Sequence, residues 1–141
     1  MILLDTNVIS EPQRLRPDTR VIDWIDAQSL ETLYLSTITV AELRAGIALM
    51  PTGKRRDKLH ENLEKRLLPM FTNRVLAFDM VCTKAYAELI ARSRTTGLAL
   101  ETADAFIASI AVANGFVVAT RDTSPFVAAG LKVINPWDSV Q

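Results

Sequence analysis

Short apolar runs recur along the chain, and polar residues follow each of them. Five runs have the length of buried strands; they are residues 1–4, 33–36, 75–78, 116–119 and 132–134. Short continuous runs of this kind are typical of parallel strands that are covered on both faces. Residues 5–7 (Asp-Thr-Asn) end the first run, and we expect a polar loop there.

Longer segments between these runs carry the signals of helices. We expect helices over residues 19–28, 37–50, 80–96, 102–114 and 125–129, and a basic helix that ends near Pro69. Asp79 suits an N-cap, and Gly97 and Gly115 suit the residue that follows a helix C-terminus. Because strands alternate with helices, we predict an α/β fold with three layers, in which helices cover a central, mainly parallel sheet of about five strands.

The composition suits one globular domain over residues 1–141, since hydrophobic residues make up 49% of the chain. Sixteen Lys and Arg balance sixteen Asp and Glu, which argues against a protein that coats nucleic acid through a large positive charge. No basic segment precedes the first strand, and the longest apolar stretch is too short to cross a bilayer. We therefore expect a cytoplasmic protein without a membrane segment.

The chain contains one cysteine and one histidine, Cys82 and His60. This pair excludes a zinc site built from Cys and His within the chain. It also argues against a Cys–His nucleophile, because nothing in the local sequence supports one. The chemistry of an enzyme with this composition must depend mostly on carboxylates.

Two predicted helices are apolar on nearly all sides, and each carries a carboxylate. Asp104 is the only charged residue of the helix over residues 102–114, and Glu42 shares a helix face with Ala45 and Leu49. We expect such helices to be buried, and a buried carboxylate needs a cation, hydrogen bonds or access to solvent. The alternatives are a first-turn acid stabilised by the helix dipole for Asp104 and a side chain that reaches solvent for Glu42.

Three further acids, Asp5, Asp79 and Asp122, follow predicted strands. Ligands of open parallel sheets bind beyond the carboxyl ends of the strands. Helix capping explains Asp79 well. It explains Asp5 less well, because Thr6 and Asn7 are themselves good capping residues.

Binding of divalent metal, as one ion or two, gives Asp5, Glu42, Asp104 and Asp122 a common explanation. Two carboxylates at about 4 Å repel each other by about 4 kcal/mol at an effective dielectric constant near 20. Mg²⁺ or Mn²⁺ would offset this repulsion, and both ions accept hard oxygen ligands. The residues alone therefore suggest a magnesium or manganese site at the edge of the sheet.

Four sequence motifs resemble those of PIN-domain ribonucleases in type, order and spacing. They are Leu4-Asp5-Thr6-Asn7, Thr39-Val40-Ala41-Glu42-Leu43, Ala103-Asp104-Ala105-Phe106-Ile107-Ala108, and Thr120-Arg121-Asp122 followed by Phe126. The resemblance covers essentially the whole chain. It is to the VapC-type toxins of bacterial toxin–antitoxin pairs, especially to the FitB-like branch, and it implies a PIN-like fold.

The resemblance implies a catalytic quartet made of Asp5, Glu42, Asp104 and Asp122. We expect Asp5 and Asp104 to bind the metal directly, and Glu42 and Asp122 to bind it directly or through water. The quartet shows no substitution that would suggest an inactive protein.

Three further residues lie beside the quartet in the sequence. Thr120 matches a strand-end hydroxyl position that supports the site in the family, and Asn7 is a candidate supporting partner. Glu101, one helical turn before Asp104, is a candidate extra ligand, although a first-turn acid is the simpler interpretation. The resemblance leaves Asp79 as a helix cap.

The implied activity is that of a Mg²⁺- or Mn²⁺-dependent endoribonuclease that hydrolyses RNA phosphodiester bonds. The implied partner is a VapB- or FitA-like antitoxin that binds DNA through its N-terminal part and covers the active-site groove with its C-terminal segment. The resemblance also implies a homodimer that can assemble further with the antitoxin.

Two other functions remain open from the residues. One is a Mg²⁺-dependent phosphohydrolase with an Asp nucleophile, although such enzymes require a second Asp at the position of Asn7. A receiver domain, which also gathers acids around Mg²⁺, fits less well because Lys132 lies at the start of the last predicted strand instead of following it. The other function is a non-catalytic PIN-fold partner of a DNA-binding antitoxin.

Residues 54–74 contain seven basic residues and three acids. Lys54, Arg55, Arg56 and Lys58 at the start of this segment are candidates for contacts with RNA phosphates. The alternative is a solvated helix surface with pairs of opposite charges. If four acids form a metal site, the acids that remain are four fewer than the basic residues, so zero net charge does not exclude an RNA substrate.

Overall fold

A five-stranded parallel sheet forms the centre of the computed structural model, which describes residues 1–138. The strands are β1 (Ile2–Leu4), β2 (Leu33–Ser36), β3 (Val75–Leu76), β4 (Val117–Ala119) and β5 (Val133–Ile134). Their order in the sheet is β3-β2-β1-β4-β5, and all neighbours are parallel. This confirms the predicted fold class and places the first strand of the chain at the centre of the sheet.

Helices occupy most of the chain between the strands. They are α1 (Thr6–Ser10), α2 (Thr19–Asp26), α3 (Thr37–Ala48), α4 (Lys54–Asn62), α5 (Leu68–Met70), α6 (Met80–Thr96), α7 (Thr102–Asn114) and α8 (Ser124–Ala128). A π-helical turn at Leu63–Leu67 joins α4 to α5, and short 3₁₀ turns occupy Glu11–Gln13 and Leu30–Thr32. No helix within residues 1–138 is long and apolar enough to cross a membrane.

Two hydrophobic clusters cover the two faces of the sheet. Leu3 belongs to one cluster and Leu4 to the other, as expected for neighbouring residues of a strand, which point to opposite faces. The cluster around Leu3 includes Ile107 and Ile110 of α7, and the cluster around Leu4 includes Trp24 of α2. The helices thus form layers on both sides of the sheet.

The ends of α6 and α7 lie where the sequence predicted them. The Asp79 carboxylate accepts the N–H of Cys82 and caps α6. Gly97 and Gly115 have φ values of 71° and 70°, a left-handed conformation that costs glycine little.

Two local predictions were wrong. The segment after β1 is not a loop, because the Asp5 carboxylate accepts the N–H of Thr6 and starts α1 at once. Helix α3 is not buried on the face of Glu42: Thr39 is its only buried residue, and Leu49, which follows the helix, is 85% exposed. Glu42 is exposed, so the alternative interpretation, in which its side chain reaches solvent, is correct.

Candidate active site

Asp5 lies where the central strand ends and α1 begins. Its backbone N–H donates to the carbonyl of Ala119 at 2.9 Å, which continues the pairing between β1 and β4. The side chain is only 5% exposed. Its Oδ1 accepts the N–H of Thr6 at 2.8 Å, and its Oδ2 accepts the hydroxyl of Thr120 at 2.8 Å. The sheet and these two hydrogen bonds together fix the position of the carboxylate.

Asn7 and Thr120 connect the first turn of α1 to the segment after β4. Asn7 Nδ2 lies 3.5 Å from Asp5 Oδ2 and 3.4 Å from Thr120 Oγ1, and Asn7 Oδ1 accepts the N–H of Arg121. The hydroxyl oxygen of Thr120 also accepts the N–H of Asp122 at 3.2 Å. These contacts hold the backbone of Asp122 near Asp5, while the side chain of Asp122 remains exposed.

Glu42 reaches the same region from α3. Its Oε1 accepts the hydroxyl of Thr6 at 2.6 Å, and Thr6 Oγ1 lies 3.1 Å from Thr39 Oγ1. Thr39 is fully buried, and its N–H donates to the Ser36 hydroxyl that caps α3. The exposed Glu42 carboxylate is therefore oriented by a hydroxyl whose own neighbour is fixed in the protein interior.

Sequence reasoning missed this function of Thr6 and Thr39. It treated Thr6 as a capping residue and as part of a motif, and it treated Thr39 as part of a motif. The available signal was a hydroxyl next to Asp5 and another one helical turn before Glu42. These two hydroxyls could be assigned to Glu42 only because the structure places α1 beside α3.

Asp104 lies in the first turn of α7 and is partly buried. Burial, and then the negative charges of Asp5, Asp122, Glu101 and Glu42, raise the pKa of its carboxyl from 3.8 to about 6. The four neighbouring acids are thus close enough to oppose its ionisation. Glu101 immediately precedes α7 and is exposed, and its side chain makes no capping hydrogen bond.

The pKa of Asp5 is raised as well. Burial is the main cause, and the charges of Glu42 and Asp122 add to it, whereas hydrogen bonds from Thr120 and Thr6 lower the pKa. No ion pair within residues 1–138 includes any of the four predicted quartet acids. The structure thus brings Asp5, Glu42, Asp104 and Asp122 within electrostatic reach of one another without a cationic side chain to balance them.

The donor set fits a hard divalent cation, because it consists of carboxylate and hydroxyl oxygens. In the part of the chain that the structure describes, residues 1–138, no three His, Cys, Asp or Glu side chains form a ready-made metal cage. Mg²⁺ does not require one, since it usually keeps several water ligands and binds proteins through one or two carboxylates. Asp5 and Asp104 are the acids whose charge is most opposed by their surroundings, and a cation would relieve both.

The four basic candidates of α4 do not share one surface. Arg55 and Lys58 line a cleft together with Arg14 and Arg66. Arg56 lines a different cleft, and Lys54 is the first residue of the helix. The structure therefore places Arg55 and Lys58 together and separates Arg56 from them.

Comparison with known proteins adds independent information. The family model of the PIN domain matches residues 2–130. The chain is 80% identical over 139 residues to the plasmid stability protein StbB of Pseudomonas syringae pv. tomato, with 99% of this chain and 100% of the relative covered. It is 58% identical to the VapC ribonuclease Y4jK of Sinorhizobium fredii, with 98% and 99% covered.

Two further similarities involve the FitB toxin and a solved complex. The chain is 50% identical to the toxin FitB of Neisseria gonorrhoeae, with 97% of this chain and 99% of the relative covered. The structure of FitAB bound to an IR36 DNA fragment contains a chain that superposes with a TM-score of 0.96 at 48% identity. That match covers 100% of this chain and 99% of the other.

Proposed function

The chain belongs to the PIN-domain family, and on this premise we propose that it is the ribonuclease toxin of a toxin–antitoxin pair. In finer terms, we propose a Mg²⁺- or Mn²⁺-dependent endoribonuclease that hydrolyses RNA phosphodiester bonds. The relatives named VapC ribonuclease and toxin FitB support the nuclease and the toxin. The metal and the site residues are supported by the geometry of the acids.

One observation carries this proposal: acids from four separate segments lie within electrostatic reach of one another at the carboxyl ends of β1 and β4, and no ion pair among residues 1–138 includes any of them. Such an arrangement costs stability in the free protein, because the charges of Glu42 and Asp122 oppose the ionisation of Asp5 and Asp104. Binding of a divalent cation would offset this repulsion between the carboxylates.

The four acids would have different tasks in this reaction. Asp5, fixed by Thr6 and Thr120, and Asp104, ionised above about pH 6, would hold the metal. Glu42 and Asp122, both exposed, would bind it directly or through water and orient the attacking water. The bound cation would lower the pKa of that water and stabilise the leaving oxygen.

A water nucleophile leaves the RNA 2′-hydroxyl unused. The products should therefore carry 5′-phosphate and 3′-hydroxyl ends.

We also propose a cognate antitoxin that binds DNA and covers the carboxylate site. The solved FitAB complex with DNA supports a partner of this kind. We propose a homodimer that assembles further with the antitoxin, and a cytoplasmic location, where RNA substrates are available. The antitoxin and RNA would then compete for the same acids.

Digestion of total RNA by the purified chain without antitoxin tests the proposal. Reactions contain Mg²⁺, Mn²⁺ or EDTA, and the 5′-phosphate ends of the products are mapped. We expect cleavage with either metal, none with EDTA, and none with Asp5→Asn. Asp79→Asn is the matched control, because Asn retains the capping function and Asp79 lies outside the site.

Either of two results would contradict the proposal. One is cleavage that persists in EDTA and leaves 2′,3′-cyclic phosphate ends. The other is full activity of Asp5→Asn, which would show that the Asp5 carboxylate does not hold the metal.

A further inference from the structure

A pocket of about 300 Å³ opens beside Glu42, and the proposed chemistry does not use it. Its volume is at the lower end of the range for small-molecule pockets. Helices α1, α3 and α4, the turn Glu11–Gln13 and the π-helical turn Leu63–Leu67 form its walls, which are mainly apolar. The apolar side chains include Ile9, Leu43, Ile47, Met50, Leu59 and Leu63. Thr6 and Glu42 also line the pocket and connect it directly to the carboxylate site.

A basic cleft continues from this pocket. Gln13, Arg14, Arg55 and Asn62 line both spaces, and the cleft adds Lys58 and Arg66. The one acid that lines it, Glu61, pairs with Lys65 at 3.7 Å. Acids, an apolar pocket and basic residues therefore follow one another along the surface.

Two amide side chains supply polar groups in the pocket. Asn62 Nδ2 donates to Gln13 Oε1 at 2.9 Å. Within residues 1–138, no hydrogen bond occupies Gln13 Nε2 or Asn62 Oδ1. The pocket thus combines apolar walls with donor N–H groups of Gln13 and the acceptor oxygen of Asn62, which suit the flat faces and the polar edge of a nucleobase.

We propose that this pocket binds the base of a nucleotide next to the scissile bond and helps to select where RNA is cut. The proposal rests on the proposed ribonuclease function. The scissile phosphate would lie at the carboxylates, the base in the pocket, and the following phosphates over Arg55 and Lys58. An apolar side chain of the antitoxin is the competing occupant, but the basic cleft beyond the pocket favours a polyanion.

Gly46 provides a way to fill the pocket. It lines the pocket from α3, and a Cβ added there meets no atom within 4 Å. A larger residue also improves helix propensity at this position, so Gly46→Leu should fold. Ala45→Leu is the matched control, since Ala45 is exposed on the same helix and does not line the pocket.

The experiment uses short single-stranded RNAs that contain a mapped cleavage site, with an abasic nucleotide moved through the positions beside the cut. In wild type, we expect kcat/KM to fall about tenfold at one position, as for the loss of a stacked base. Gly46→Leu should cleave the intact and the abasic RNA alike, at the lower rate, whereas Ala45→Leu should behave as wild type. An unchanged ratio in Gly46→Leu would overturn the proposal.

A second variant keeps the test independent of Gly46. Asn62→Leu removes the acceptor oxygen of this polar edge and the hydrogen bond to Gln13, and it preserves the apolar walls. We expect it to lose the preference between bases at the same position and to keep the penalty for the abasic nucleotide. If the preference between bases is unchanged, Asn62 does not read the base and this part of the proposal is wrong.

Binding measurements separate this proposal from the proposed function. If wild type cleaves no RNA with either metal, the ribonuclease is disproved, and fluorescence anisotropy with labelled RNA and Asp104→Asn still decides about the pocket. Weaker binding of the abasic RNA supports a base site, and equal binding refutes it. If Gly46→Leu weakens only the antitoxin complex, the pocket belongs to the antitoxin and the proposal is overturned.

Discussion

Helices α3 and α7 are both rich in apolar residues, and each carries one acid of the candidate site, but their surroundings differ. Helix α7 lies in the core and buries six residues: Ala105, Ile107, Ala108, Ser109, Ile110 and Ala111. Helix α3 buries only Thr39. The apolar composition therefore does not predict how far each helix is buried. Burial depends on whether the helix packs against the sheet and the core around it.

The two acids differ in the same way. Asp104 of the core helix is partly buried, and its surroundings raise its pKa to about 6. Glu42 of the exposed helix is held by one short hydrogen bond, 2.6 Å from the hydroxyl of Thr6. The surroundings of Asp104 thus mainly raise its pKa, whereas the contact to Glu42 mainly fixes the position of its carboxylate.

The largest effect should come from Asp104. Asp104→Asn preserves the shape of the side chain and removes the charge that would hold the metal. We expect Mg²⁺-dependent cleavage to fall by more than about a thousandfold, beyond the about hundredfold cost of losing an outer partner of a metal site. Steady-state cleavage of a labelled RNA measures this, with the exposed Asp57→Asn as control. Comparable losses in both variants would mean that Asp104 has no special function.

Truncation of apolar residues tests the difference in burial directly. Ile107 of α7 is 0% exposed, and Ile107→Ala should lower the free energy of unfolding by about 3 kcal/mol through the cavity that it leaves. Leu49→Ala at the end of α3 should change it by less than about 0.5 kcal/mol. Urea denaturation of the isolated chain measures both values. A large loss for Leu49→Ala would show that a second copy of the chain covers α3 in solution.

The third prediction concerns the orientation of Glu42. Thr6→Val removes the hydroxyl and keeps the shape, so we expect kcat to fall about tenfold with little change in KM. Thr6→Ser should restore activity, because it restores the donor. If Thr6→Val keeps full activity and Thr6→Ser is impaired, packing of the Thr6 methyl group, and not the hydrogen bond, is what matters.

The smallest effect is a change in stability with pH. The pKa of Asp104 is higher in the folded chain than in the unfolded chain, so the metal-free protein loses stability as the pH rises from about 4 through about 6. Asp104→Asn lacks this loss. It should be about 1 kcal/mol more stable than wild type at pH 8 in EDTA and equal to it at pH 4. Equal stabilities at both pH values would show that neither burial nor the neighbouring acids oppose the charge of Asp104.

Much of the fold follows from local signals in the sequence. The limits of α6 were predictable because Asp79 caps one end and Gly97 terminates the other. The strands were located correctly within two residues because buried parallel strands are short apolar runs. Helix α1 was missed, since the polar residues that cap and begin it also suit a loop.

The candidate site was only partly predictable. Two acids on apolar helices and two at strand ends suggested a metal site. Together with the family resemblance, this predicted Asp5, Glu42, Asp104 and Asp122. The hydrogen bond between Thr6 and Glu42 joins residues 36 positions apart. Its discovery required the packing of α1 against α3, which no local pattern encodes.

The central position of β1 also determines when such a nuclease can first act in the cell that makes it. This strand leaves the ribosome first, but β4, which pairs with it, follows more than a hundred residues later. Thr120 and Asp122 emerge after β4, so a ribosome-bound chain cannot yet contain the complete acid cluster. A chain that ends before residue 117 therefore lacks the strand that pairs with β1 and the hydroxyl that holds Asp5.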